Sequence, residues 1–381
     1  MEKTDVLIIG AGIVGCSAAF FLSKSDADVT LIDRSEIGRE ASGSTAGTMS
    51  YQNKERKLVH LTEEATKIWI SYQKELEDDI EFRQTGGFRV AEDKQQFEKL
   101  CESVKWQKQV GVELDLLSKD ELAVSAPYLG PSVYGASYCK WDGRSNPLMS
   151  SLAIARAAEA RGVKIHVNEP VKGIEIIQKD SFLVNTSKMV YKTSCILNSA
   201  GVWSKNIFRM IGIDYPITVD PQQVMVTEQS PEIFPHIITY AKGTLTLKQV
   251  DNGNVVIGGG WKGKGSAEEN IKRVSYYNMY QNIQYACRVI PALKKLNLIR
   301  CWTGLEGRSP DFLPLLGNLN LLPGFFTACC SKGGYHLGPL WGKLISDLIL
   351  TGKSSIPFQE YNVNRFVNHL DKYFTEIKQY I

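Results

Sequence analysis

The sequence predicts an α/β protein in two interleaved parts: a wound, mostly parallel-sheet unit that the chain leaves and re-enters, and an inserted α+β unit built on an antiparallel sheet. Three observations predict it. An uncharged run, VLIIGAGIVGCSAAFFL, carries three glycines at fixed offsets and is followed by a second apolar strand. Residues 216–262 hold strand-like segments (ITVDPQQVMVTE, GTLTLKQ, NVVIGGGW) punctuated by Pro, Gly and Asn-Gly, the pattern of antiparallel pairing. The stretches on either side of that region alternate helix-period and strand-period patterns, as a wound sheet requires.

Composition bounds what such a chain does. Its 381 residues correspond to two or three domains at about 150 residues each. Lys plus Arg is 44 against 41 Asp plus Glu, a net charge of +3, and 43% of residues are hydrophobic, which excludes a disordered chain and a strongly basic nucleic-acid binder. The cysteines at 16, 101, 139, 195, 287, 301, 329 and 330 include no Cys-x-x-Cys pair. No metal site and no disulfide framework is therefore predicted, and reduced thiols in a cytoplasmic protein are expected.

Taken in order, the first element is the run from Val6 to Leu22, which by hydropathy alone passes for a short membrane span. Gly10, Gly12 and Gly15 in G-x-G-x-x-G order argue otherwise, so no integral membrane segment is expected. DVLIIG reads as a buried parallel strand, IVGCSAAFFLSKS as the following helix, and ADVTLIDR as a second strand ending at Asp33. In a Rossmann-like unit Gly10 permits the tight turn, Gly12 lets backbone amides approach a pyrophosphate, and Gly15 lets the helix lie close to the strand. Ala11, Ile13 and Val14 complete that turn, the helix N-terminus favours phosphate, and Asp33 accepts bonds from ribose hydroxyls. The segment from Arg34 to Ser50, RSEIGREASGSTAGTMS, is a loop of small residues. Ser42, Gly43, Ser44, Thr45, Ala46, Gly47 and Met49 would lay backbone against a large flat ring, which favours FAD over a nicotinamide cofactor.

Further along, 56–79 reads as a helix, 82–92 as a strand and 93–110 as a helix. Near the C-terminus GGYHLGP precedes the amphipathic LWGKLISDLIL, which predicts a glycine turn feeding a helix N-terminus near residue 338. Such a terminus would stabilise negative charge on the N1 and C2 carbonyl edge of a reduced flavin, and Lys332 would add a cation. The resulting division is a discontinuous FAD-binding domain of 1–80, 141–212 and 300–381, with a substrate domain of 81–140 and 213–299.

Several blocks together resemble the FAD-dependent amine and D-amino-acid oxidoreductases, the family of glycine oxidase, sarcosine oxidase and the beta subunits of opine and dye-linked proline dehydrogenases. The blocks are GAGIVG at 10–15, IGREASGSTAGTM at 37–49, DGRSNP at 142–147, NEPVKGI at 168–174, ILNSAGVWS at 196–204, WTGLEGRSPDFLPLLG at 302–317 and CCSKGGYHLGPLWGKLISDLI at 329–349. The resemblance implies an FAD domain of the glutathione-reductase type. It implies adenine contacts at Val171, pyrophosphate-side contacts at Ala200, Gly201 and Trp203, and flavin-side contacts at Lys332, Gly333, Gly334, Tyr335 and His336.

The implied activity is oxidation of the C–N bond of an amino acid or secondary amine by hydride transfer to flavin N5, giving an imine that hydrolyses. A small-molecule amine or amino acid is the expected substrate, with a second subunit or an electron acceptor as a further partner. The substrate anchors depart from glycine oxidase. Where that enzyme's carboxylate-binding arginine falls, this chain has Glu306, with Arg308 two residues later, and the matching tyrosine falls on or near Leu245 or Thr246. Glu306 would favour a cationic substrate group, or Arg308 would take over as anchor. Trp261 aligns with a side chain lining the substrate cavity, and His336 is placed beside the flavin edge. Cys301 lies near the covalent FAD attachment of some sarcosine oxidases, although a buried inert thiol is the expected state. Tandem Cys329 and Cys330 replace a Gly-His common in relatives. His60, His166, His236 and His369 have no informative context. Two alternatives stay open: an FAD enzyme of 2-hydroxy acids or glycerol phosphate, which needs an alcohol-deprotonating base, and a flavin electron-relay subunit of a larger complex.

Overall fold

The computed structural model describes residues 1–329 and 334–369, with the side chains of 367–369 excepted. Cys330, Lys332, Gly333 and the stretch 370–381 lie outside the described residues. The first sheet has Glu2–Ile9 at its centre, flanked by Val29–Ile32 on one side and Val190–Asn198 on the other. Lys164–His166 extends it beyond Val29–Ile32, and Phe325–Cys329 and Leu315–Asn318 extend it beyond Val190–Asn198. Every pairing along this path is parallel except the last, Leu315–Asn318 against Phe325–Cys329. Apolar runs such as VLII are buried on both faces, as parallel strands demand. One face packs Ile8, Phe20, Trp69 and Trp341, and the other packs Leu7, Ile196, Phe208 and Phe325.

The second sheet runs Leu298–Arg308, Thr218–Gln229, Asn254–Gly258, Thr246–Gln249, Ile237–Tyr240, Gly87–Ala91, Gly135–Cys139 and Asp115–Ser118. Its pairings are antiparallel apart from one, Ile237–Tyr240 against Gly87–Ala91, which is parallel. That junction is where a strand from the early half of the chain meets one from the later half. The amphipathic Tyr276–Val289 helix covers one face through Ala286 and Val289, beside Met225, Leu247 and Ile257. Residue 300, where the sequence suggested a return to the first unit, falls inside the Leu298–Arg308 strand, which pairs along Thr218–Gln229 for most of its length. No helix among the described residues is long and apolar enough to cross a membrane.

Two local features show why the sequence folds this way around the site. Asn146 caps the Pro147–Glu159 helix by accepting a bond from the Leu148 amide, with Pro147 at the first helical position, so the Ser-Asn-Pro of the third block is a helix start. At the C-terminal side a single helix spans Gly334–Thr351 with Pro339 inside it, where the sequence had suggested a turn before residue 338. The glycines of that segment serve packing. A Cβ on Gly338 would lie 2.6 Å from Ile13, and one on Gly342 would lie 2.6 Å from Ser17, so both let this helix lie directly on the Ile13–Leu22 helix. The predicted helix 56–79 is shorter, Thr62–Glu75, preceded by a single 3-10 turn.

Candidate active site and cofactor cleft

Strands Glu2–Ile9, Val29–Ile32, Val190–Asn198 and Phe325–Cys329 all end at one edge of the first sheet, and a cleft of about 320 Å³ opens just beyond them. Gly10, Gly12, Ile13 and Val14 line it from the first turn, Asp33, Arg34 and Ser42 from the second, Val171 from one wall, and Ala200, Gly201 and Trp203 from the other. Gly10 holds φ +112°, and a Cβ on it would fall 2.6 Å from Ser199 O, a conformation and a space that exclude a side chain. Gly15 faces inward: a Cβ there would fall 1.9 Å from Gly10 O. The Ile13–Leu22 helix has no side-chain cap from Gly12, and Ser42 Oγ accepts from the Ile13 amide at 2.9 Å.

Asp33 accepts from the Ala11 amide at 2.6 Å through one oxygen and from the Ser35 amide at 2.8 Å through the other. Burial pushes its carboxyl up, and those backbone bonds only partly offset it. The Arg34 guanidinium sits 3.6 Å from the centre of the Trp203 ring and pairs with Glu40 at 2.9 Å. Glu169, inside the NEPVKGI block and two residues before Val171, also lines the cleft. Its Oε1 accepts from Thr186 and Tyr191, while its buried Oε2 has no partner among the described residues. A glycine-lined helix start, an aspartate held at the strand end and an orphaned carboxylate oxygen fit the pyrophosphate, ribose and adenine of a dinucleotide.

Ala41 lines this cleft and also a second cavity of about 770 Å³ between the two sheets. Ser44, Thr45, Ala46 and Thr48 form one wall of that cavity. Gln222 to Val224, Leu245, Thr246, Gly259, Gly260 and Gly304 form another. The loop of small residues is tied down from both sides. Trp302 Nε1 donates to Ser44 O at 2.9 Å, a Cβ on Gly304 would strike Ser44, and one on Gly43 would strike Gly38 O. Gly47 turns at φ +67° against Ser145 O and the Lys248 ammonium, and Met49 is buried in the short strand that follows. A continuous, bent cleft with a backbone-lined floor at 44–48 fits a flat ring joined to a dinucleotide tail.

Glu306 and Arg308 project from alternate positions of one strand into this cavity. They are not free anchors. Asp220 stands directly across the ladder from Glu306, and like charges in that register repel. Arg308 resolves it by donating to Asp220 at 2.9 Å and to Glu306 at 2.6 Å. Lys262 adds a second pair to Asp220 at 3.1 Å. Burial raises the Asp220 carboxyl, but Arg308 and Lys262 outweigh it and hold it below the ordinary value.

Trp261 does not line the cavity: its indole donates to Thr244 O at 2.6 Å and its ring leans on Tyr285. His336 is 1% exposed, so it sits beneath the cavity wall, bonded to Thr66 through Nε2. Burial, with Lys54 nearby, drives its proton affinity well down, which keeps the ring neutral. Tyr335 is likewise buried, its hydroxyl between Ser145 and Ser150. Gly334 opens the last helix, and Ala11 is fully buried. Cys301 packs against the core of the second sheet, on the strand face opposite Trp302, with its thiol pushed up to about 11 by burial. Cys329 is buried and lines the first cleft.

The structure also buries two charged residues, one of them the first residue of the DGRSNP block. Asp142 is fully buried and accepts from Ser50 Oγ, the Tyr51 amide and Gln52 Nε2, which pins the segment leading to Lys54. Burial raises its carboxyl to about 6. Lys248, 2% exposed, donates to Ser145 O at 3.2 Å, and burial together with Arg144 lowers it to about 7.

Comparison with known proteins follows this geometry. The model of the FAD dependent oxidoreductase (DAO) family matches residues 5–348. One of the subunits of the opine oxidase of Rhizobium meliloti is 25% identical over 382 residues, covering 96% of this chain and 98% of that protein. Human mitochondrial sarcosine dehydrogenase is 26% identical over 97% of this chain, which spans only 42% of its length. The crystal structure of L-proline dehydrogenase from P. horikoshii superposes with a TM-score of 0.87 at 26% identity, covering 97% of this chain and 99% of that one.

Proposed function

We propose that this chain, which belongs to the FAD-dependent oxidoreductase family, oxidises a C–N bond of an amino acid or secondary amine in the cavity between its two sheets. Bound FAD supplies the two-electron acceptor, and the imine product hydrolyses in water. The chain's own residues bind and orient. Gly10 to Val14, Asp33 and Glu169 hold the dinucleotide tail, Ser44 to Thr48 floor the ring, and the strand pair carrying Gln222 to Val224 and Gly304 closes the cavity over it.

The observation that carries the choice of bond is whole-length likeness: the relative named as an opine oxidase subunit matches 96% of this chain, and the structure named as an L-proline dehydrogenase superposes over 97% of it. This supports an amine substrate over a 2-hydroxy acid or glycerol phosphate. The relative named as an oxidase subunit supports a working unit larger than this chain, with a second subunit passing electrons onward.

The test is an anaerobic titration of the FAD-loaded protein with proline, sarcosine, glycine, D-amino acids and opines on one side, and 2-hydroxy acids and glycerol 3-phosphate on the other. Bleaching of the flavin by an amine class is expected. Bleaching by hydroxy acids or glycerol 3-phosphate alone would overturn the reading.

A further inference from the structure

Residues 264–273 fold as a short antiparallel hairpin outside both large sheets. Lys264–Ser266 pairs with Ile271–Arg273, and Asn270 takes the left-handed φ of +53° that asparagine tolerates at a turn. The root of the hairpin is pressed onto the Leu298–Arg308 strand. A Cβ on Gly263 would strike Thr303 Oγ1, and one on Gly265 would fall 2.5 Å from Leu305 Cδ2, so these two glycines let the hairpin lie flat on that strand. Leu305 also lines the dinucleotide cleft.

The rest of the hairpin reaches the walls of that cleft. Trp203 Nε1 donates to Ala267 O at 3.0 Å, Arg34 Nη2 donates to Asn270 Oδ1 at 3.4 Å, and Arg209 pairs with Glu268 at 3.6 Å. Lys272 shares a rung with Gly265, so the two face the same side, and its ammonium bonds Glu40 at 2.5 Å. Arg34, Glu40 and Trp203 all line the cleft. Glu40 is a costly residue to place there, because a carboxylate on the wall of a cleft that takes a pyrophosphate repels it. Arg34 at 2.9 Å and Lys272 flank it, so the three groups carry a net positive charge only while the hairpin is in place. The Glu40 and Lys272 side chains are 21% and 27% exposed, so water screens the pair only in part.

We propose that the Lys264–Arg273 hairpin is a clasp on the cofactor, with Lys272 the positioning residue that neutralises Glu40 and slows the release of FAD. The inference concerns the cofactor and stands apart from the choice of substrate. Trp203, whose ring lies 3.6 Å from the Arg34 guanidinium, is also held by the hairpin backbone through its indole N–H, so opening the clasp frees that wall as well. Because the hairpin is rooted on a strand of the second sheet, retention of a cofactor bound at the edge of the first sheet depends on both units of the fold.

The experiment follows FAD leaving the intact, loaded protein with no substrate present. An excess of apo-glucose oxidase traps the released FAD, and the activity that enzyme regains gives the rate. Lys272→Met should release FAD about tenfold faster than wild type, as expected for one partly screened ion pair beside a phosphate. Lys272→Arg should keep the wild-type rate, and so should Lys264→Met, which removes an exposed lysine of the same hairpin. Raising the salt concentration should speed release from wild type and not from Lys272→Met. The flavin-stripped forms should melt within about 3 °C of each other, which separates a hold on the cofactor from a general loss of stability. In hydrogen exchange, the amides of 264–273 should be slower with FAD bound than without. If Lys272→Met purifies without flavin, titrating its apoprotein with FAD makes the same comparison through Kd. Release or binding of FAD by Lys272→Met at the wild-type value would overturn the clasp. An equal rise in Lys264→Met, a stripped Lys272→Met protein that melts far below wild type, or hairpin exchange that FAD does not slow would do the same.

Discussion

Replacing two glycines of the first turn, one at a time, separates the demands of the fold from those of the cofactor. At Gly15 an added Cβ would lie 1.9 Å from Gly10 O and 2.6 Å from Ser199 Oγ. Gly10 is itself locked at φ +112° against Ser199, so nothing there can retreat, and the helix has to shift. Overpacking of this kind costs about 3 kcal/mol or more, the top of its usual range. At roughly 2–4 °C per kcal/mol, Gly15→Ala should melt about 6–12 °C below wild type when both are stripped of flavin. At Gly12 the same Cβ would meet only Ser42 Oγ, at 3.1 Å, and the residue lines the cleft. Gly12→Val should therefore fold almost normally yet hold a side chain where backbone has to approach a pyrophosphate. Losing two hydrogen bonds to charged phosphate at about 1.5–3 kcal/mol each weakens FAD by roughly 10²- to 10⁴-fold. The assays are flavin content of the purified protein and differential scanning calorimetry of the stripped forms. A yellow, fully loaded Gly12→Val protein, or one that melts below Gly15→Ala, would refute the division of labour.

Three further outcomes follow from the charged and sulfur groups of the site. Asp142 has its carboxyl raised to about 6 by burial, so folding favours its protonated form: its contribution is full below the unfolded value near 3.8 and fades as pH rises through 6. Asp142→Asn carries no such penalty, so the stability advantage of wild type over this variant in urea unfolding should shrink between those pH values by about 3 kcal/mol, and a constant gap would contradict it. Burial also lowers the Lys54 ammonium to about 8, so the folded state penalises the charged form below that pH and the penalty is relieved between 8 and the unfolded value near 10.5. Wild type should gain stability relative to Lys54→Met over that window in urea unfolding, and a constant gap would assign the titration elsewhere. Cys301 packs on the far face of its strand, so acid precipitation should release all flavin into the supernatant, and flavin retained in the pellet but lost in Cys301→Ser would show a covalent link.

What could be read from the sequence was what local chemistry enforces. Strand, glycines, helix and Asp33 fall at offsets that a βαβ turn dictates, and the small-residue loop follows from the flatness of what lies on it. Asn146 and Pro147 announce their helix start. Gly338 misled, because a glycine that makes a turn before a helix and one that lets two helices touch look alike until the neighbouring Ile13 is in place. Glu306 and Arg308 were found, but not their pairing with Asp220. Their spacing shows a shared strand face, while the carboxylate opposite, Asp220, depends on a register formed across more than eighty residues of chain. Asp142 and Glu169 fall inside the DGRSNP and NEPVKGI blocks, but their burial and bonding partners appear only when the fold is in place.

The strand order also sets a timetable for synthesis. Glu2–Ile9 gains its first neighbour at once, its second only when Val190–Asn198 emerges, and the sheet is not closed on that side until Phe325–Cys329 follows. At about 5–20 residues per second the wait between Ile32 and Val190 is on the order of 8–32 s. Throughout it the most apolar segment of the chain has one edge exposed. The cleft for the dinucleotide takes its walls from Ile9 through Cys329, so FAD has no complete site until Cys329 has left the ribosome. Flavin therefore has nothing complete to bind until late in synthesis, and the early sheet edge has to wait for the chain itself.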